Sequence, residues 1–168
     1  AFANTETVDL WAALGRVAKQ PIPAMMDGWI FQPGFPLVTA RLDGRDVVLS
    51  QQPFTYLPSP PPDASAVPGE RRWHVPVKLR VTAGGRDESN SILLDRPEAR
   101  LRVPDGVDAV LVNSGGHGFY RVRYTGGLLE RLLARLPALD AIERFNVVSD
   151  AWATTVAGHM TVGEYVDL

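Results

Sequence analysis

About seven short segments rich in β-forming residues, separated by turn signals, occupy residues 35–125 of the chain. The first two, Leu37–Leu42 and Val47–Ser50, flank the tetrapeptide Asp43–Asp46. Asp-Gly between two such segments is a strong signal for a β-hairpin. Because short strands with regularly spaced turns are typical of a β-sandwich, we predict a mainly β fold with about seven strands.

The other predicted strands continue this pattern. They are His74–Val81, Ser91–Leu94, Ala99–Val103, Val110–Val112 and Phe119–Tyr124. Gly84-Gly85 predicts one turn, and Asn113–Gly118 predicts a hairpin turn between the last two strands, because asparagine and glycine tolerate positive φ. Alternation places Tyr120, Val122 and Tyr124 on one face of the last strand, and we expect that face to lie in the core.

Residues 53–72 contain the run Pro58-Ser59-Pro60-Pro61-Pro62. Proline lacks the N–H that a strand donates to its neighbour, so this run is incompatible with a central strand. We expect an exposed, mobile loop here.

Helical patterns precede the strands. Leu10, Leu14 and Val17 repeat at helical spacing, and Pro21 or Pro23 can open a second helix. Gly34 is a candidate stop for that second helix. Each helix has an apolar stripe that needs a partner, which is either the sandwich or a domain outside this chain. The stripe of the second helix comprises Ile22, Met25 or Met26, and Trp29.

Helical patterns also follow the strands, beginning at Gly126-Gly127. Asp140 with Glu143 and Thr161 with Glu164 have the spacing of capping pairs at helix starts. Leu168 ends the chain about one turn after the second pair, so we expect a piece of a longer protein. Two apolar helix faces are predicted: one of Leu128, Leu129, Leu132, Leu133 and Leu136, and one of Ile142, Phe145, Val148, Trp152 and Val156.

The chain therefore divides into a helical tail (1–34), a β-sandwich domain (35–125) and the start of a further helical domain (126–168). The formal net charge of −2 is too small to indicate a nucleic-acid partner or an anionic membrane surface. The absence of cysteine excludes disulfides and thiolate chemistry. With no signal or membrane segment visible in the sequence, we expect a cytoplasmic protein.

The residues that could carry chemistry do not form a recognised motif. His74, His117 and His159 are far apart, and none is followed by glutamate. Ser114 lies in a glycine-rich turn without a nucleophile elbow. The carboxylate pairs Asp87-Glu88 and Asp140 with Glu143 suit a turn and a helix cap, and Arg71-Arg72 suits a solvated strand entrance. We therefore assign no catalytic, cofactor-binding or metal-binding residue.

Residues Met26–Val38 have the sequence MDGWIFQPGFPLV. Together with several further segments, in order, they resemble the M1 (aminopeptidase N-like) family of zinc aminopeptidases. Met26–Val38 is the most specific match and is similar to the family's crossing from the catalytic domain into a β-sandwich. The other matching segments are Asn4–Trp11, Gln51–Phe54 (with Pro53 where the family usually has arginine), Trp73–Val77, Asn113 with Gly118–Tyr124, and Arg144 with Asp150-Ala151.

The resemblance implies that the zinc ligands and the exopeptidase motif lie upstream of these residues. It also implies that most of a C-terminal helical domain lies downstream. The parent would then remove N-terminal residues from peptides with a zinc-bound water. Within these residues no cofactor is expected; the partners are the remaining domains of the parent, and the parent's peptide substrate.

An independent β-sandwich module that binds carbohydrate or protein is the alternative. Phe54, Tyr56 and Trp73 border the proline-rich loop and could offer a stacking surface. Carbohydrate platforms need several exposed coplanar aromatic rings, whereas only 8% of the chain is aromatic.

Overall fold

Seven strands form two sheets in a computed structural model, which describes residues 4–56 and 71–168. The strands are β1 (Pro36–Asp43), β2 (Asp46–Pro53), β3 (Val75–Ala83), β4 (Arg86–Leu94), β5 (Glu98–Arg102), β6 (Val107–Val112) and β7 (Arg121–Tyr124). One sheet has the order β5-β2-β1-β7 and the other β4-β3-β6. The predicted loop of residues 53–72 lies for the most part outside the described residues.

Within the described residues, five α-helices flank the sheets. They are α1 (Thr7–Ala18), α2 (Ile22–Ile30), α3 (Leu128–Leu133), α4 (Ala141–Val156) and α5 (Val162–Val166), with a 3-10 turn at Leu136–Ala138. Helix accounts for 34% and strand for 32% of the described residues. The seven predicted strands are confirmed. The prediction of a mainly β fold is confirmed only in part, because the described residues contain helix and strand in nearly equal shares. The terminal helices were predicted, but they account for as large a share of the described residues as the strands do, since α1 and α4 alone span 12 and 16 residues.

Tight turns set the register of two hairpins. β1 pairs with β2 along its whole length, and Gly44 turns the chain with a φ of 59°. β3 pairs with β4 from Val75 opposite Leu94 to Ala83 opposite Arg86. Asp87 and Glu88 therefore lie within β4, which corrects their prediction as a turn: the two-glycine turn is so short that pairing resumes at Arg86.

The predicted hairpin at Asn113–Gly118 is wrong. β6 pairs with β3 in one sheet, whereas β7 runs parallel to β1 in the other. A hairpin joins two neighbouring antiparallel strands, whereas β6 and β7 belong to different sheets and do not pair. The segment 113–118 instead carries the chain from one sheet to the other, and its glycines serve that crossing.

The core lies between the two sheets. Alternate residues of β3, namely Val75, Val77, Leu79 and Val81, are at most 2% exposed and face it. Tyr120 and Val122 lie in the same cluster, 7% and 3% exposed, and Tyr124 packs against it. The predicted inner face of the last strand is confirmed.

The N-terminal helices differ in how they meet the sandwich. α2 packs Trp29 against the core, and it ends at Ile30, so Gly34 is not its cap. Gly34 instead has a φ of 90° just before β1. α1 buries no residue, and its stripe residues Leu10, Leu14 and Val17 remain 50%, 45% and 85% exposed. The sandwich therefore leaves the α1 stripe uncovered.

Candidate functional site at the seam between the sandwich and α4

The loop from Asn113 to Gly118 is closed by the side chain of its first residue. Asn113 has a φ of 63°, and its Oδ1 accepts the Gly118 N–H at 2.7 Å while its Nδ2 donates to the Gly118 carbonyl at 3.2 Å. Gly118 must lack a Cβ, because one added there would lie 2.1 Å from Cε1 of Tyr120. The loop is thus held in one shape beside the core tyrosine.

Glu143, in the first turn of α4, binds this loop and one of the two sheets. Its side chain is 1% exposed. Oε2 accepts from Nη2 of Arg80 on β3 at 2.7 Å and from the Asp140 N–H at 3.1 Å. Oε1 accepts from the Gly115 N–H at 3.0 Å and from Ser114 Oγ at 3.3 Å. A buried carboxylate with four donors is a fully satisfied one.

The surroundings of Glu143 favour its ionised form. Burial by itself would raise its pKa, but the hydrogen bonds from Arg80 and from the Gly115 and Asp140 N–H groups outweigh burial. The pKa of Glu143 consequently lies below its ordinary value. The ion pair with Arg80 is therefore present at neutral pH.

Asp150, seven residues further along α4, binds the other sheet. Its Oδ1 accepts from Nη1 of Arg121 on β7 at 3.0 Å, and its Oδ2 accepts the Val122 N–H at 3.1 Å. Ser149 Oγ accepts from the same Arg121 nitrogen at 2.9 Å. Residues seven apart share one face of a helix, two turns apart. One face of α4 thus contacts both sheets through buried carboxylates, an arrangement that we call the seam (Arg80, Glu143, Arg121, Asp150 and the loop 113–118).

The two carboxylates of the seam differ in their response to pH. Burial raises the pKa of Asp150 from 3.8 to about 6, with Arg121 and the Val122 N–H acting in the opposite direction. The folded protein therefore holds a proton on Asp150 more tightly than the unfolded chain does. The resulting stabilisation is fully present below pH 3.8 and is lost as the pH rises through about 6.

We predict that this pH-dependent stabilisation is present in the unsubstituted protein and absent from the Asp150→Asn variant. The free energy of unfolding of the unsubstituted protein, minus that of the variant, should fall by roughly 2–3 kcal/mol between pH 4 and pH 6.5 and stay level above. Urea titrations across this range give the difference, and the carboxyl carbon resonance of Asp150 gives its pKa directly. A pKa below 4 for this carboxyl would contradict the assignment.

A second set of contacts fixes the entry to the sandwich. Trp29 Nε1 donates to the His74 carbonyl at 3.2 Å, and Gln32 Nε2 donates to the Arg72 carbonyl at 2.8 Å. Gln51 of β2 lies among the chain segments at the same end. Its Oε1 accepts the Trp73 N–H at 2.9 Å, and its Nε2 lies 3.0 Å from the Trp73 carbonyl and 3.1 Å from that of Leu94. Gln51 thereby ties β2 to the start of β3 and the end of β4, which lie side by side at the open end of that hairpin.

The aromatic residues beside the proline-rich segment do not form an exposed platform. Trp73 and Phe54 are 1% and 6% exposed, and only Tyr56 of the three is open to solvent, at 47%. The Phe54 and Tyr56 rings meet edge-on at 79°. Two of the three rings suggested for stacking therefore serve the core, and the third is not coplanar with its neighbour.

The remaining candidate residues stay apart. His74 is half-buried before β3, His117 is exposed in the loop, and His159 follows α4. Across residues 4–56 and 71–168, no three histidine, cysteine, aspartate or glutamate side chains come together as a metal site. Ser114 donates to Glu143, whose carboxylate is also paired with Arg80, and not to a histidine. Asp140 and Glu143 form the predicted capping box, as do Thr161 and Glu164.

The part of the chain that contains both carboxylates of the seam is similar to known proteins. Residues 109–168 match the family described as the ERAP1-like C-terminal domain, and this stretch includes β7, the loop 113–118 and both carboxylates of the seam. Over 99% of its length the chain is 30% identical to a puromycin-sensitive aminopeptidase of Caenorhabditis elegans. Over 99% it is also 29% identical to aminopeptidase N of Lactococcus lactis, and over 98% it is 27% identical to tricorn protease-interacting factor F2 of Thermoplasma acidophilum.

The resemblance to M1 aminopeptidases is confirmed. The matched part is 18% of the Caenorhabditis protein and 19% of the other two, so the chain spans about a fifth of the length of these relatives. All of the seam except Arg80 lies within the region that matches the C-terminal domain. Within the part of the chain that the structure describes, no helix has the length and apolar character needed to cross a bilayer.

Sequence reasoning missed the role of several residues. In the sequence, Arg80 occupies what looks like an ordinary solvent-facing position of an alternating strand. Gln51 was noted only as part of a family motif. One signal for the seam was present: Glu143 and Asp150 are acidic residues seven apart on a predicted helix, on one face. Nothing in the sequence identifies their partners, because Arg80 and Arg121 lie 63 and 29 residues away along the chain.

Proposed function

We propose that this chain is a non-catalytic connecting unit of a zinc-dependent M1-type aminopeptidase. The observation that carries the proposal is the seam, in which one face of α4 is bound through Glu143 to one sheet and through Asp150 to the other. A helix anchored to both sheets cannot swing about either one. The sandwich therefore sets the direction in which the helical segment leaves it.

The upstream end is fixed in a comparable way. Trp29 and Gln32 attach α2 to the segment that leads into β3, while the α1 stripe remains uncovered. An apolar stripe left open on a helix needs a partner. In the proposed parent, that partner is the catalytic domain, so the sandwich spaces the catalytic domain from the C-terminal helices.

The chemistry of the parent is assigned outside these residues. Zinc needs three protein ligands and a glutamate or similar base near its bound water. The described residues do not bring such a set together, so they do not fit the metal, and no step of peptide hydrolysis is assigned to them. The remaining domains of the parent and its peptide substrate are the proposed partners. We propose a cytoplasmic parent that has neither a nucleic-acid nor a membrane partner.

A direct assay tests whether the peptidase activity lies outside these residues. The purified 168-residue chain, supplied with zinc, should release no fluorophore from aminoacyl-coumarin amides. A longer polypeptide from the same gene, including the upstream part, should release it, and a chelator should abolish that release. Chelator-sensitive release by the pure chain would contradict the proposal.

A further inference from the structure

A cleft opens beside the seam, where the loop 113–118 and the start of β7 meet α4. Its volume is about 460 Å³, within the range of small-molecule sites. Three aromatic and three polar side chains take part in its lining: Phe35, Tyr56 and Phe119, and Arg121, Asn146 and Asp150. We call this space the seam cleft. An apolar wall beside a few polar groups is the usual composition of a ligand site.

The aromatic side of the seam cleft is open to solvent although its rings are packed together. Phe119 is 71% exposed and Tyr56 is 47% exposed. Phe119 points away from the core, which its neighbour Tyr120 enters. The centroid of the Phe119 ring lies 5.4 Å from that of Phe35, and Phe35 in turn stacks on Phe54. Exposed rings held in place by other rings offer a ligand a fixed apolar surface.

The polar side of the seam cleft carries one positive and one negative charge. Arg121 has five N–H donors, and its hydrogen bonds to Ser149 and Asp150 both come from Nη1. Burial lowers the pKa of Arg121, but Asp150 and the phenol of Tyr56 raise it and outweigh burial, so the guanidinium is charged. Asp150 gives one oxygen to Arg121 and the other to the Val122 N–H. Each carboxylate oxygen has a second lone pair that can accept from a ligand.

Asn146 adds an amide to the polar side, and an amide can both donate and accept hydrogen bonds. Its position depends on Gly116 in the neighbouring loop, because a Cβ at Gly116 would lie 2.8 Å from Nδ2 of Asn146. Gly116 also has a φ of 72°, in the left-handed region that favours glycine. The loop therefore leaves room for the amide, and the seam cleft presents a cation, a carboxylate and an amide beside its aromatic rings.

We propose that the seam cleft binds a free α-amino acid with an aromatic side chain. The Arg121–Asp150 pair has no net charge, so it suits a zwitterion better than a simple anion or cation. The α-carboxylate of the ligand accepts from the remaining donors of Arg121, and its ammonium group donates to Asp150 and to the carbonyl oxygen of Asn146. The ring of the ligand packs on Phe119. This site goes beyond the proposed function, because it needs neither zinc nor residues outside this chain.

Titration of the 168-residue chain with L-phenylalanine, followed by NMR, tests the proposal. The amide resonances of Gly116 and Gly118, which line the seam cleft, should shift and reach saturation. The amide resonance of Gly44, in the turn between β1 and β2, should stay in place. A titration in which no cleft resonance saturates would overturn the proposal.

Two analogues of phenylalanine test the requirement for both charges. 3-Phenylpropionate lacks the ammonium group, and 2-phenylethylamine lacks the carboxylate. Each loses its charge-assisted hydrogen bonds to one member of the Arg121–Asp150 pair and should bind at least about tenfold more weakly than L-phenylalanine. If 3-phenylpropionate bound as tightly as L-phenylalanine, the cleft would be a simple anion site. Equal binding of 2-phenylethylamine would make it a cation site, and either result would overturn the proposal.

Two exposed phenylalanines supply matched variants. Phe119→Ala removes part of the aromatic wall and should weaken the binding of L-phenylalanine at least about fivefold. Phe145→Ala removes a ring of α4 that is 65% exposed and does not line the seam cleft, so it should leave the affinity unchanged. Asn146→Ala, which removes the amide, should also weaken binding. Urea unfolding establishes that each variant folds.

The comparison of these variants decides where the ligand binds. Unchanged affinity in both Phe119→Ala and Asn146→Ala, or an equal loss in Phe145→Ala, would place the ligand outside the seam cleft and overturn the proposal. None of these measurements uses peptidase activity. Failure of this inference is therefore distinguishable from failure of the proposed function, which the zinc-dependent assay decides.

Discussion

Replacing Tyr120 with alanine is expected to lower the free energy of unfolding by about 3–5 kcal/mol. The ring is 7% exposed and lies in the main core cluster. It also packs on Gly118, where an added Cβ would lie 2.1 Å from the ring. Truncation therefore leaves a cavity in the core and removes the contact that supports the loop 113–118. Urea unfolding followed by circular dichroism measures the loss.

Tyr120→Phe is the matched control. The hydroxyl of Tyr120 is buried, and no hydrogen-bond partner for it lies among the described residues. A buried hydroxyl without a partner costs free energy, so removing it should be neutral or should stabilise the fold by about 1 kcal/mol. If Tyr120→Phe destabilised the protein as much as Tyr120→Ala, the stabilising element would be the hydroxyl rather than the packing of the ring.

Replacing Glu143 with alanine in the otherwise unchanged protein is expected to lower the free energy of unfolding by about 3–5 kcal/mol. The substitution removes the counter-charge of Arg80, whose side chain is 21% exposed and, among the residues that the structure describes, keeps only Asp87 at 3.7 Å. It also leaves the N–H groups of Gly115 and Asp140 without their acceptor. Because these groups belong to β3, the loop and the start of α4, the loss should appear in the global unfolding transition.

An exposed ion pair supplies the comparison for Glu143. Glu98 pairs with Arg41 at 3.2 Å, but both side chains are 41% exposed. Solvent screens such pairs, so Glu98→Ala should cost less than about 1 kcal/mol. Equal losses for Glu98→Ala and Glu143→Ala in the same urea titrations would show that the seam adds nothing beyond surface electrostatics.

The seven strands were predictable because short-range chemistry determines them. Asp-Gly and Gly-Gly turns between alternating segments fix both hairpins, and alternation alone identifies the buried face of β7. The sheet to which each strand belongs is a long-range property. Asn113–Gly118 has the composition of a hairpin turn and is nevertheless a crossing, because β7 pairs with β1 more than 80 residues earlier in the chain.

The orientation of α4 illustrates a second limit of pattern reading. Its apolar residues at helical spacing predict a helix with one apolar face, and that helix exists. Periodicity does not say what covers the face. In this protein Glu143 and Asp150 face the sandwich, where they accept hydrogen bonds from arginines and backbone N–H groups. The apolar stripe of α4 faces solvent. Only the positions of Arg80 and Arg121 in three dimensions settle this choice.

The absence of a catalytic assignment followed from the spacing of His74, His117 and His159, and it remains a prediction. The family resemblance depended on ordered motifs, among which Trp29 and Gln32 now have structural roles in binding α2 to the sandwich. The seam itself was not predicted, although the family match includes all of it except Arg80.

Native-state hydrogen exchange of α4 tests the central claim most directly, because the claim is that α4 and both sheets form one cooperative unit. The amides of residues 144–154 should exchange only through global unfolding, with the same free energy and the same urea dependence as those of β1 and β3. Exchange of the α4 amides through a smaller opening, at a much lower free energy than the strands, would contradict it. In that case α4 would be a loosely attached helix, and the sandwich would not set its direction.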